Sequence, residues 1–420
     1  MPAAFPLDRQ LSYGELLDRL SRHAKRLSAI QAMRLPQPGA AGYILAKDNI
    51  GTDEFPTTAG SFALRALKVP DADCIGRLKR AGYDVFGKTT MSELAGFVTT
   101  NPLSQGYSEL GGRGINPHGD FPCGGSSSGS AIAVAAGLCD AALGTETRGS
   151  LMEPGLKCGV RAFKPTRGLI SCSRVVPLSH SFDTVGIIAR STALIARLFS
   201  CVMDSRDSAQ EPPAFPGTAS QPPRIALIRD ESLADSGATA AARALRELAR
   251  RGLIILTEVA VPPLVHDYRT ISSLDIARDM TEFLGRYGNS GMPSTFSDLV
   301  RCYRDRPASH PYGMDRLEDA LAMPRMADDV LQDLVRRNVS AARALIAETL
   351  EKSGTQFLAS PTFLDWWAIA GAPSITVPLG HEADGRSSGF MLGGAAGTDW
   401  DLLSASLLIE ELVQDRVPVF

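Results

Sequence analysis

CGGSSSGSAIAVAAGL, residues 123–138, sets a glycine and serine turn directly in front of a helix of small, apolar residues. Glycine permits positive φ, and serines supply hydroxyls where one backbone run passes close to another. By itself the stretch reads as a Ser/Gly linker, as an anion nest at a helix N-terminus, or as part of a catalytic site. Around it, from 42 to 202, short β-branched or apolar runs such as Tyr43–Ala46 and Tyr83–Phe86 alternate with glycine-rich turns and helical stretches. That alternation predicts an α/β architecture.

Working outward, residues 12–34 open on Ser12 and space Leu16, Leu17, Leu20 and Leu27 three to four apart, which predicts an amphipathic helix with a serine cap. Residues 205–223 hold five prolines, which fix φ and remove donors, so a surface loop or hinge is expected there. Strands are then predicted at 224–230 and 253–259 around a helix at 241–252, followed by a helical subregion or lid over 276–352. The tail returns to strands in QFLASPT, SITVPL and GFMLGG before a helix at about 399–414. No repeat interrupts the pattern, so 1–420 reads as a single continuous α/β domain.

Lys plus Arg number 43 against 46 Asp plus Glu, a net charge of -3, so no positive excess is available to neutralise a polyphosphate and nucleic acid is excluded as a ligand. The seven cysteines are scattered without a CxxC pair, as expected of reduced thiols in a cytoplasm. The first residues develop no apolar run of signal-peptide length, and the longest apolar stretch, Ala131–Leu143, is broken by Asp140 and is too short to span a bilayer. A cytoplasmic protein without membrane association is the expectation.

Two further segments carry chemistry. LGTETRGSLMEPGLKCGVRAFKPTRG, 143–168, puts Ser150 on a glycine-bracketed turn whose successive amides can converge as an oxyanion hole. A serine hydroxyl attacks only when a neighbouring base removes its proton, and the six histidines form no Ser-His-Asp motif. AGYILAKDNIGTDEFPTTAGS, 41–61, ends an apolar strand on Lys47, where burial favours the neutral amine, a competent base. Read singly, Lys47 is an ordinary solvated surface lysine.

Together the three segments resemble the amidase-signature family, whose members show a lysine in a GxPxxxKD-like strand end, a GGSS(G/S)GS turn and a GTxTxGS loop. GKTTMSELA at 87–95, FKPTRGLIS at 163–171, PLSHSFDTVG at 177–186 and AGAPSITVPLG at 370–380 fit the same family in order. The resemblance implies its fold, one large domain with a central mixed, twisted β-sheet flanked by helices. It also implies a Ser-cisSer-Lys triad: Lys47 as base, Ser126 in a cis peptide as relay, Ser150 as the acylated nucleophile. The N–H groups of Thr147, Arg148, Gly149 and Ser150 would form the oxyanion hole, and Lys88, in GKT, would belong to the scaffold. The implied function is hydrolysis of a small or medium carboxamide through an acyl-enzyme, with no metal, nucleotide or organic cofactor. An amidotransferase component that releases ammonia for a partner protein, an acyltransferase using the same intermediate, and a catalytically silent binding protein are the alternatives; a homodimer is also compatible.

The chain departs from the family's common GTDTGGSIR at Arg148 and Met152. The Arg148 guanidinium either points to solvent or pairs with a carboxylate on the substrate. The segment 360–378 is shorter than its family counterpart and brings Trp366 and Trp367 to where substrate-facing loops lie; either they wall the pocket or they pack in the core. Thr145, Arg148 and Trp366 are the expected substrate contacts.

Overall fold

Ser12 opens the first helix, α1 (Tyr13–His23), through a reciprocal cap: its hydroxyl accepts from the Glu15 N–H while the Glu15 carboxylate accepts from the Ser12 N–H. The helix ends at His23, well short of residue 34. Ser28 takes a φ of 47°, and Ile30–Met33 forms a strand, β1, antiparallel to a strand at Asp84–Thr89. Leu27 is buried from a turn instead of a helix face. The apolar spacing that suggests one long helix comes from a helix, a turn and an edge strand whose partner is remote in sequence.

The computed structural model describes residues 11–204, 222–229 and 238–416. After β1 come β2 (Tyr43–Lys47), α2 (Asp73–Arg80), β3 (Asp84–Thr89), the short pair β4 (Tyr107–Ser108) and β5 (Gly112–Arg113), α3 (Ser128–Ala135), β6 (Ala141–Glu146), α4 (Met152–Cys158), β7 (Arg161–Lys164), β8 (Thr184–Ala189) and α5 (Thr192–Val202). Of the Pro/Ser-rich stretch at 205–223, residues 205–221 lie outside the described residues. Beyond it run β9 (Arg224–Ile228), α6 (Ala238–Arg250), β10 (Ile255–Val259), α7 (Tyr268–Tyr287), α8 (Phe296–Arg304), α9 (Asp315–Ala322), α10 (Asp328–Ser353), β11 (Phe357–Ser360), α11 (Trp366–Ala370), β12 (Ser374–His381), β13 (Ser387–Gly393) and α12 (Asp399–Arg416). None of the described helices is long and apolar enough to cross a membrane.

Eleven strands form one sheet in the order β1-β3-β2-β6-β8-β7-β12-β13-β11-β9-β10. It is mixed: β2 runs parallel to both β3 and β6, whereas β6 and β8 are antiparallel. Helices cover both faces, which makes this an α/β domain around a large central mixed sheet. Strand periodicity distributes β2 between the two layers. Ile44 and Ala46 join the core against α2 and α5, and Tyr43 and Leu45 join the core against α1, α3 and α4. Lys47 continues the Tyr43–Leu45 face at the carboxyl end of the strand, and therefore points toward α3 and α4. A third apolar cluster packs Ile276, Met280, Leu299 and Leu317, from α7 to α9, against Leu64, Met91 and Phe97.

Candidate active site

The serine-rich turn is bound to the sheet, hydroxyl by hydroxyl. Ser126 Oγ lies 2.8 Å from Lys47 Nζ. Ser127 Oγ donates to the Thr145 carbonyl (3.1 Å), and Ser130 Oγ to the Leu143 carbonyl (3.0 Å). The Gly125–Ser126 peptide is cis, and the Ser126 carbonyl accepts from the Ser92 N–H at 3.1 Å. Glycine is required at 125 because a Cβ there would stand 2.3 Å from Ser92 Oγ. These contacts remove the linker reading.

Lys47 is fully buried at the end of β2. Besides Ser126, its amine meets the Thr145 carbonyl (3.2 Å) and the Thr145 hydroxyl (2.8 Å), which also accepts from Asn49 Nδ2 (3.0 Å). No carboxylate touches it among the described residues. Burial brings the ammonium down to about 7, against the opposing pull of Asp183 and then Glu146. Two N–H groups directed at Thr145 leave a neutral amine's lone pair for the Ser126 O–H, so the same oxygens satisfy the lysine in either protonation state.

Ser150 begins the run into α4. Glu146, at the end of β6, accepts from the N–H groups of Leu151 (2.8 Å) and Met152 (3.1 Å), which holds the helix start against the strand end and arches residues 147–150 between them. The N–H groups of Thr147, Arg148, Gly149 and Ser150 meet no backbone acceptor among the described residues. Gly149 carries the left-handed conformation of the arch, φ 89°. Arg148 is spared it. The turn is fastened to the serine-rich turn by the Ser127 N–H, which donates to the Ser150 carbonyl at 3.1 Å. Ser150 Oγ itself has no hydrogen-bond partner among the described residues.

The three expected substrate contacts have distinct surroundings. Thr145 turns its hydroxyl to the lysine, as described, and also lines a small cleft. Trp366 and Trp367, on α11, are 3% and 0% exposed and pack in the core with α10 and the sheet, because the short segment folds back as a helix; Trp367 Nε1 finds no partner among the described residues. Trp366 is therefore no pocket wall. Phe363 of that segment does reach the arch: its ring lies 2.7 Å from where a Gly149 Cβ would stand. Arg148 pairs with Asp365 (3.2 Å) and lies over the Tyr268 ring (4.7 Å), with 40% of its side chain exposed.

Lys88 sits away from these groups: it donates to the Ile50 carbonyl (2.6 Å) and the Thr57 hydroxyl (3.2 Å) and lies 3.9 Å from Asp48. Sequence reasoning missed Asp183. It accepts from the Thr147 hydroxyl (2.5 Å) and from the Leu178 and Ser179 N–H groups. Burial pushes its carboxyl up to about 6 against those bonds. Its only signal was its place inside PLSHSFDTVG. Asp183 and Thr147 line a small cleft with Asn49, Thr145, Ala95 and Leu178.

The family model described as Amidase matches residues 15–403. The chain belongs to the amidase family. Within it, a Schizosaccharomyces pombe protein named as an amidase is 46% identical over 156 residues, which are 35% of this chain and 26% of that protein. A glutamyl-tRNA(Gln) amidotransferase component from Campylobacter hominis is 28% identical over 419 residues, covering 90% of each chain. Among solved structures, the native peptide amidase of Stenotrophomonas maltophilia superposes with a TM-score of 0.85 at 28% identity, over 97% of this amidase-family chain and 94% of that one.

Proposed function

We propose that this chain is an amidase that hydrolyses a small or medium carboxamide through an acyl-enzyme on Ser150, with Lys47 as base and Ser126 as relay. The observation that carries the reading is the Lys47–Ser126 contact of 2.8 Å around a fully buried lysine held near 7. The neutral amine takes the Ser126 proton while Ser126 Oγ takes that of Ser150. Ser150 Oγ then bonds to the amide carbon, and the oxyanion is held by the amides of 147–150, a term of about 3 kcal/mol for one strong donor. The relayed proton passes to the leaving nitrogen as the C–N bond breaks, and water releases the acid by the same route. The Ser126–Ser150 hydrogen bond is one that forms with substrate in place, since such bonds tighten in the complex.

Intact mass after exposure to a fluorophosphonate tests this: wild type gains one adduct and Ser150→Ala gains none. An adduct persisting on Ser150→Ala would overturn the assignment.

The full-length similarity to the Campylobacter hominis amidotransferase component supports a second reading, in which the same acyl-enzyme releases ammonia for a companion protein. Co-purification with a large partner, and amide turnover that depends on it, would favour that reading.

A further inference from the structure

Arg316, on α9, is a cation without an acid. Its guanidinium donates to the Gly96 carbonyl (3.1 Å), lies beside the Tyr268 side chain, and stands 4.1 Å over the Phe97 ring. No carboxylate is paired with it among the described residues. The acids of its own helix are engaged elsewhere: Asp315 accepts from Thr99 and Thr100, Glu318 pairs with Arg304, and Asp319 with Arg269. Burial, and then the positive charge of Arg148, hold Arg316 below its ordinary value. A guanidinium removed from water without a counter-ion is costly, so an anion arriving there replaces lost solvation.

Arg148 reaches the same tyrosine, over its ring, and stands two residues before Ser150. Its partner Asp365 is shared with His266 at 2.9 Å. Of the two guanidinium groups gathered on Tyr268, only that of Arg148 has a carboxylate among the described residues. Tyr268 therefore joins Arg316 to Arg148, which belongs to the same turn as Ser150.

We infer that Arg316 and Arg148 form a carboxylate subsite, and that the preferred substrate is an amide whose acyl chain ends in an ionised carboxylate. This rests on the amidase reading of Ser150. Two planar forks suit a carboxylate's two oxygens, whereas a neutral amide end leaves Arg316 unanswered.

The test compares kcat/KM for succinamate, glutaramate and adipamate with that for butyramide, pentanamide and hexanamide. Wild type is expected to prefer at least one amido acid by about tenfold or more, and Arg316→Met to cut that ratio by about tenfold, chiefly through KM, with partial recovery in Arg316→Lys. Equal use of both series by wild type, or an unchanged ratio in Arg316→Met, overturns the inference. Calorimetric binding of glutarate separates it from the amidase reading. If no amide is turned over and the fluorophosphonate does not label Ser150, that reading fails; glutarate binding that weakens about tenfold in Arg316→Met still upholds the subsite. Absent or unchanged glutarate binding rejects it.

Discussion

The backbone N–H of Ser127 donates to the carbonyl of Ser150 at 3.1 Å, which locks the turn that carries Ser126, the proposed relay, to the turn that carries Ser150, the proposed nucleophile. Ser127 Oγ meanwhile holds the Thr145 carbonyl, next to the lysine's own partner. One residue therefore sets the spacing of all three groups, and the expected consequences concern what each does when altered.

Ser126→Ala removes the proton path between Lys47 and Ser150 but leaves the Ser127 tie intact. We expect kcat to fall by about 10²- to 10⁴-fold, the span of a lost general acid-base step, while the melting temperature stays within a few degrees of wild type. Steady-state kinetics with thermal unfolding measures both; activity within threefold of wild type refutes the relay.

The pH profile follows from two groups. Lys47, near 7, must be neutral to act, so kcat/KM should rise with pH and level off above about 7. Asp183, near 6, gains a proton on the same acid side and steepens that limb. A rate independent of pH between 5 and 9 contradicts this.

Lys47→Met abolishes activity and should stabilise the fold. The folded lysine sits below its ordinary value, so between about 7 and the ordinary lysine range the unfolded chain binds the extra proton and wild-type stability climbs with pH. The variant's advantage in urea unfolding is thus largest at pH 7 and below, and fades toward about pH 10. An advantage that grows with pH has the wrong sign.

Gly149→Ala forces a Cβ onto a φ of 89° and to within 2.7 Å of the Phe363 ring. The arch must shift, and with it the amides proposed to hold the oxyanion. A loss of about 10²- to 10³-fold in kcat is expected, as for a removed oxyanion donor. A Phe363→Ala change made on top of it relieves the clash but not the φ, so only partial recovery should follow.

Trp367→Ala empties a fully buried site and should cost about 3 to 5 kcal/mol in chemical unfolding.

Much of this site was legible in the chain because its devices are local. A period of two on Tyr43–Lys47 sends the lysine to one face of the sheet, and glycines at 124, 125 and 149 mark where the backbone must turn or approach closely. The order of the segments then points to one fold. What only the tertiary structure decided are the relations between residues far apart in sequence. The edge of β3 drew Ile30–Met33 out of a helical pattern into a strand, since a strand's stability lies in its partner. The core claimed Trp366 and Trp367 because a short helix, α11, turned their rings inward. Arg148 found Asp365, 217 positions away, and Arg316 was left without an acid among the described residues by pairings its neighbours made elsewhere. Burial and charge balance depend on what surrounds a side chain, and no window of sequence contains its surroundings.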